Sequence, residues 1–560
     1  MSRGNFRALN KDGDTFTFQT NSSSGTTFDP FVSILSLGRV SWDFGDGSGR
    51  RNTNSPFYTY SDGGTIKTVN MHTKRMSEMN WLNMGGDDIY GHLDLTQWSN
   101  LGGTFSVGGS AELTGVTHTY SPQIFTLYGI INSDITGHHD VSMFPNLGGS
   151  FQMYTNPNLT SITHTASTEV FTYYGVYSCN LTGNLDVSGF PNLGGLFLTR
   201  FNANLTGVTH TPSPQTFTKY DVNTCDLTGN LDVSGFSGLG GVFYTYVNPN
   251  LTSITHTAST QTFTDYRVQS CDLIGNHDVS GLDLGGIFYV YGNSNLTGVT
   301  HTPSTEVFTN YRVNTCDMTG NHDVSMLSGL GGIFYTSVNP NLTSITHTAS
   351  TEVFTDYRID NSDITGHHDV SMFPNLGGWF WTQWNTNLTG ITHTASTEVF
   401  TDYRVWGCDL TGTHDVSMLS RLSNNFRCAS CPNLTNVLFP TTTETFLDPG
   451  TNSTSKAFTM RDCDLGYVDF NPLSGITMDV NSTYGATIYL YGNTMTAGEV
   501  NHILVDFSGI TTNNITRWSG VTLDISGDNS APDSSSGGYD GIAAISYLTG
   551  VTPSWTIITS

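Results

Sequence analysis

The tripeptide Thr-His-Thr returns seven times, centred on His118, His164, His210, His256, His301, His347 and His393, at steps of 46 residues with a single step of 45. A chain written this way cannot fold around one unique core. Each copy carries the same apolar edge and buries it by stacking on the next. Every long period also divides in two. One half reads Phe263-x-x-Tyr266-x-Val268-x-x-Cys271-x-Leu273, and the other carries Phe288-x-Val290-x-x-Asn293-x-x-Leu296. The step from Cys to Asn is 22 or 23 residues, so the structural unit is one short coil and the sequence unit is two.

This half-period resembles the leucine-rich repeat pattern LxxLxLxxN/CxL over about residues 80–500. The ladder position runs Asn156, Cys179, Asn202, Cys225, Asn248, Cys271, Asn293, Cys316, Asn339, with Asp87, Ser110, Ser133 and Ser362 in equivalent places and irregular coils at Cys463 and Asn493. The resemblance implies that this side chain sits inside the turn after each strand and bonds neighbouring backbone. Phe, Tyr and Thr replace several of the family's leucines, and the convex side has no helical pattern, so that side is expected to be irregular or extended. About 18 coils at strand spacing would form a rod on the order of 85 Å long.

An array needs ends. "VSWDFGDGS" and "FYTYSDGGTIKTVNM" resemble the WDFGDG…Y-x-Y pattern of PKD-type β-sandwich domains over about residues 13–75. Asp43 and Asp46 there suit either calcium or, more commonly, a Gly-Asp-Gly turn between strands. Beyond the array, "TAGEVNHILVDF" and "GGYDGIAAISYLTG" have helical spacing around strand-like "VTLDIS" and "SWTIIT". The expected fold is therefore mainly β: a PKD-like β-sandwich over 1–78, a leucine-rich-repeat solenoid over 79–500, and an α/β C-terminal cap over 501–560 that closes the last edge.

The 560 residues carry a formal charge of −26 while only 12% are charged, which argues against nucleic acid and anionic membrane surfaces as partners. No run of 18 apolar residues predicts a membrane span, and the start "MSRGNFRALNKDGDTF" has no secretory signal. The eight cysteines largely follow the ladder and exchange there with serine, as small buried side chains do and required disulfide halves do not. Cys428-x-x-Cys431 resembles a zinc or redox pair but has no second pair to complete four ligands. The "NLT" sequons at Asn158, Asn204, Asn250, Asn295, Asn341 and Asn387 place their Leu at a core position, and read as repeat grammar rather than glycosylation. No cofactor is expected, and no asymmetric constellation of acid, base and nucleophile stands out, so the chain reads as non-enzymatic.

Two columns carry the functional reading. The outward residue of each strand, taken coil by coil, runs Tyr244, Arg267, Tyr289, Arg312, Tyr335, Arg358, Trp381, Arg404, an alternation of aromatic ring and guanidinium at about 4.8 Å spacing. Trp384, Trp379, Tyr246 and Tyr291 widen the same face. A cation–π ladder that stiffens the sheet and a recognition surface are both consistent with it. Aligning coils on their shared Leu also stacks His256, His301, His347 and His393 between Asp232, Asp278, Asp323, Asp369 and Asp415. That column is expected to raise the histidine pKa values and give greatest stability in mild acid.

The layout resembles proteins of tailed bacteriophages and bacterial surfaces. It implies a virion-surface attachment protein that engages a host-cell glycan or protein through the Tyr/Trp/Arg face, assembled in the host cytoplasm because no export signal is present. The alternatives are a structural head or tail decoration protein packed on a neighbouring virion subunit, and a bacterial cell-surface adhesin.

Overall fold

The computed structural model describes residues 14–20, 27–34, 40–60, 65–419, 421–441, 445–446, 457–478, 487–514, 518 and 520–560. Most of the opening stretch read for an export signal, and parts of the 13–75 motif region, lie outside the described residues. The chain is mainly β and contains a β-solenoid of about 15 turns of about 23 residues. The count of 18 was too high because it included rungs that break the period: Cys463 and Asn493 follow at 32 and 30 residues. The chain divides into two compact units, Met1–Leu273 and Ile274–Ser560.

In the first unit, Asp14–Thr20 pairs antiparallel with Lys67–Thr73, and Phe31–Ile34 pairs antiparallel with Met79–Gly85. Met79–Gly85 is also the first rung of a parallel sheet that continues through Gly103–Gly108 and Phe125–Ile131 to Leu239–Tyr244 and Thr262–Arg267. The Asp43 and Asp46 carboxylates accept hydrogen bonds from the backbone N–H groups of Gly45 and Ser48, at 3.1 and 3.0 Å, so both close turns.

In the second unit the parallel sheet runs from Asp283–Tyr289 through Leu376–Trp381 to Leu422–Ala429, then through the short strands Ala457–Thr459, Thr487–Tyr489, Thr522–Asp524 and Thr556–Ile558. Among the described residues, α-helices span Ala497–Asn513 and Gly541–Gly550. The first opens with a capping box in which Thr496 and Glu499 satisfy each other's backbone N–H groups.

Both long sheets obey the same rule. Alternate side chains point inward, and one inward position on the rungs from Phe105 to Tyr266 and from Phe288 to Phe426 is Phe or Tyr in strict alternation. Phe288, Tyr311, Phe334, Tyr357, Phe380, Tyr403 and Phe426 form a column in the second unit, with successive stacked rings 5.1 to 5.5 Å apart where paired with Tyr311, Tyr357 and Tyr403. Phe105 through Tyr266 form its counterpart in the first unit. Repeated glycines let coils approach: at Gly378, with φ of 61°, a side-chain carbon would collide with the Thr355 carbonyl of the coil before it.

A buried phenol must find a partner. Tyr311 Oη lies 2.7 Å from His301 Nε2 and 2.8 Å from His322 Nε2. His347–Tyr357–His368, His393–Tyr403–His414 and His118–Tyr128–His139 repeat the arrangement at 2.7 to 2.8 Å. His164 and His210 bond Tyr174 and Tyr220 in coils where Leu185 and Leu231 stand in place of the second histidine. One hydroxyl proton serves two nitrogens, so the phenol donates to one imidazole and accepts from the other.

The His/Asp column does not form. In the second, shorter sheets a one-residue bulge sets Asp232 opposite Thr255 and Asp323 opposite Thr346, and the carboxylates turn away to accept Ser234 and Ser325 N–H at 2.9 Å. These sheets are extended strands joined only in pairs, such as Ile274–Asp278 with Asn295–Thr300 and Thr319–Asp323 with Asn341–Thr346.

The ladder residues bond preceding coils as expected. Asn339 Nδ2 donates to the Val313 and Thr336 carbonyls at 3.0 and 2.6 Å, and Cys225 Sγ to the Thr199 carbonyl at 3.4 Å. All eight cysteines are buried free thiols. Cys431 occupies a ladder position and donates to the Val405 carbonyl at 3.6 Å, which accounts for one half of the CxxC pair. The sequon asparagines are engaged along the coil edge, Asn250 with Asp226 and Asn341 with Asp317 at 2.6 Å.

Two expectations follow from the core. Burial pushes the pKa of His322, His368 and His414 down to about 4, and that of His301, His347 and His393 well below its ordinary value. An unfolded histidine titrates near 6.5, so between about 6.5 and about 4 the unfolded chain binds more protons than the folded one. Stability contributed by the neutral imidazoles is complete above that window and is lost as pH falls through it. Asp186 and Asp323, held low by Ser188 and Ser325, lose their contribution further down in the same direction. The melting temperature should therefore decline steadily from neutral pH to pH 4, and a maximum in mild acid would contradict this. Second, Tyr357→Phe leaves two imidazole nitrogens unpaired in the core and should cost about 1–3 kcal/mol in chemical denaturation; an unchanged midpoint would show that the hydroxyl bridges nothing.

Candidate recognition surface

The outward positions of the parallel sheet form two adjacent columns, because residues two apart on a strand share a face. In the second unit the first column aligns Tyr289 with Arg312, Arg312 with Tyr335, Tyr335 with Arg358, Arg358 with Trp381, and Trp381 with Arg404. The guanidinium carbon of Arg312 sits 5.1 Å from the Tyr289 ring and 4.7 Å from the Tyr335 ring. Arg358 lies 4.6 Å from Tyr335 and 3.9 Å from Trp381, and Arg404 lies 4.2 Å from Trp381. In the first unit Tyr244 and Arg267 make the same pair at 5.1 Å, with Lys219 Nζ 4.5 Å from the Tyr244 ring. The alternation stops at the neighbouring Asp221, which is fully buried and held by Arg200 and Lys219 at 3.2 and 3.0 Å.

Of the second column only Trp379 was anticipated. The column reads Ile287, Asn310, Ile333, Asp356, Trp379, Asp402 and Asn425, two residues before each member of the first. On three rungs an aspartate grips its arginine with two parallel bonds. Asp265 holds Arg267 at 2.7 and 2.9 Å, Asp356 holds Arg358 at 2.8 Å twice, and Asp402 holds Arg404 at 2.8 and 2.6 Å. Asp265 also accepts the Tyr244 hydroxyl at 2.6 Å, and Asp356 accepts that of Tyr335. The repeated "DYR" triplet was the available signal: Asp and Arg two apart on a strand share a face. On Arg312 the partner is instead Asn310 Oδ1 at 3.3 Å.

Two kinds of rung therefore alternate. One offers an aromatic ring beside an aliphatic or second aromatic side chain, and the other a guanidinium clamped to a carboxylate or amide. Burial, then the bond to Asp356, raises the pKa of the Tyr335 phenol, so it remains a donor throughout the physiological range. The face is widest at Trp379 and Trp381, whose rings stack 5.4 Å apart at 4°. Trp384 lies off the column. It follows the strand in a left-handed turn, φ 62°, stands 46% exposed, and meets the Trp406 ring at 5.4 Å. Val338, two coils earlier, takes the same left-handed turn and is 44% exposed, so an apolar edge flanks the column. Past Arg404, Arg461 lies 5.4 Å from Trp406 and 5.3 Å from Tyr491.

No family model matches this chain, and no curated protein matches it significantly.

The clamp makes Arg358 more consequential than Arg312. Arg358→Ala strips the Asp356 carboxylate of its bidentate partner as well as removing ring contacts, and should cost about 1–3 kcal/mol. Arg312→Ala gives up ring contacts and one long bond to an amide, about 0.5–1 kcal/mol. Denaturation midpoints of the two variants check the order; equal losses would mean that the carboxylate clamp adds nothing.

Proposed function

We propose that this protein is a non-enzymatic virion-surface attachment protein, using the Tyr/Trp/Arg strand face to bind a host-cell glycan or protein. Its architecture is a leucine-rich-repeat solenoid between a PKD-like N-terminal β-sandwich and a C-terminal α/β cap. Antiparallel pairing of Phe31–Ile34 on the first rung, and the helices beside the last strands, support that reading of the ends. The single observation that carries the function is the aromatic surface along the sheet, where exposed Trp379 and Trp384 flank the half-buried Tyr/Trp column. Trp379 is 42% and Trp384 is 46% exposed, and Trp and Tyr are the side chains that anchor interfaces. Half-buried Trp381 and the ordered arginines give the face a fixed shape before any ligand arrives, which reduces the entropic cost of binding.

One observation favours the alternative of a decoration protein packed on a neighbouring virion subunit. Three of the arginines are already neutralised by Asp265, Asp356 and Asp402, so the face can be covered without stranding a charge.

Binding of the labelled full chain to intact host bacteria, followed by flow cytometry, separates the two. Trp379→Ala combined with Trp384→Ala truncates exposed rings and leaves no core cavity. Loss of such anchors should weaken binding by about 2 kcal/mol or more, roughly thirtyfold. Thr351→Ala, on an exposed connecting loop, is the control. Ser350 beside it is unsuitable because it is buried and donates to the Leu330 carbonyl at 2.7 Å. Parent-like binding by the double variant would assign the face to packing within the particle.

A further inference from the structure

The other side of the coil carries a second repeated feature that the strand face does not explain. Because the short sheets there pair only two by two, a gap opens between Asn295–Thr300 and Thr319–Asp323. It is a groove of about 480 Å³ whose lining includes His301, His322, Met326, Val299, Thr300 and Thr319. The equivalent place in the first unit is a groove of about 380 Å³ that includes His118, His139, Met143, Val116, Thr117 and Thr136. In the coil where Leu185 replaces the second histidine and Gly189 replaces the methionine, the same place shrinks to about 20 Å³.

That internal comparison separates what the fold needs from what it does not. Leu185 and Leu231 build the same coil as His322, with the same strand pairing. Yet His322 and its equivalents bring a polar ring into the core. Nδ1 of His322 is buried and has no hydrogen-bond partner within the protein, a cost that the leucines at 185 and 231 do not carry. Met326, Met372 and Met418 stand 49%, 44% and 50% exposed at the matching positions. A buried unpaired nitrogen and an exposed thioether each cost stability, and leucine and glycine would remove both costs.

The lining alternates hydroxyls, amides and imidazoles with aliphatic and thioether surface, and Asp323 and Asp140 each add a carboxylate that disfavours an anionic ligand. Burial keeps the imidazoles neutral at physiological pH, so they offer no positive charge to an anion. In the second unit, His301/His322/Met326, His347/His368/Met372 and His393/His414/Met418 recur every two coils, a rise of about 10 Å. We propose that these grooves are subsites for an uncharged polysaccharide, one repeating unit per two coils, with sugar rings against the methionine and valine and hydroxyls bonded to the threonines. An extended β-linked chain repeats every two sugars on this length scale. This site lies on different strands from the Tyr/Trp/Arg column and does not depend on that reading.

The repeats supply their own variants. His322→Leu, His368→Leu and His414→Leu together install the residue found at 185 and 231, and Met326→Gly installs that found at 189 and 235. Calorimetric titration of the full chain with cellohexaose, chitohexaose and maltohexaose should detect binding of at least one probe. The triple leucine variant should weaken it by about tenfold or more while circular dichroism and melting remain those of a folded protein. Met326→Gly should weaken it by a smaller factor. The proposal is overturned if none of the three sugars binds, or if the leucine variant binds as the parent does. It is also overturned if the parent binds Zn²⁺ or Cu⁺ through these histidines and no sugar, which would assign the grooves to a metal.

Discussion

The hydrogen bond between a buried tyrosine hydroxyl and the imidazoles on either side of it is the constraint from which the two-coil period follows. A continuous column of stacked rings could be built from phenylalanine alone, and would repeat every coil. Placing a phenol on every second rung creates a polar group that the core must satisfy. His301 and His322 do so for Tyr311, His347 and His368 for Tyr357, and His393 and His414 for Tyr403. Coils bearing Tyr and coils bearing Phe then differ inside. From Phe243 to Tyr403 they differ outside too, since the Tyr rungs carry Arg with Asp or Asn and the Phe rungs carry Tyr or Trp with an aliphatic or aromatic neighbour.

This alternation settles the electrostatics of a chain with a formal charge of −26. Arg267, Arg358 and Arg404 are spent locally on Asp265, Asp356 and Asp402, and each is sandwiched against at least one ring. The strand face is therefore an ordered aromatic surface with fixed dipoles and little net charge. Such a surface suits contact recognition at short range better than long-range steering. The paired short sheets on the other side have a different consequence, since every missing strand pairing leaves a gap that Leu closes and His with Met keeps open.

Much of this was legible in the residues and some of it was not. The coil length, the Asn/Cys ladder and the outward Tyr/Arg alternation follow from spacing, because a parallel stack places residues one period apart beside each other. The His/Asp column failed for the same reason that it looked convincing. Counting from the shared position sets Met318 beside Leu342, whereas the strands pair Gly320 with Leu342; the one-residue bulge that follows recovers only one of those two residues, which leaves Asp323 beside Thr346 and not His347. The true partner of each histidine was visible as a constant interval, with Tyr ten residues after His118, His164, His210, His256, His301, His347 and His393. That interval spans a chain reversal between sheets, which strand periodicity does not report. The aspartate clamps escaped notice because only the ring-and-guanidinium column was followed, although Asp356 and Arg358 share a face.

The tautomers of the buried histidines test the central claim most directly, because one phenol proton between two imidazoles leaves no symmetric solution. Nitrogen-15 NMR of histidine-labelled protein at neutral pH reads them ring by ring. The account requires neutral rings in each of the pairs His118/His139, His301/His322, His347/His368 and His393/His414, with one member carrying its proton on Nε2 and the other on Nδ1. A single tautomer shared by all eight rings, or imidazolium at neutral pH, would contradict it.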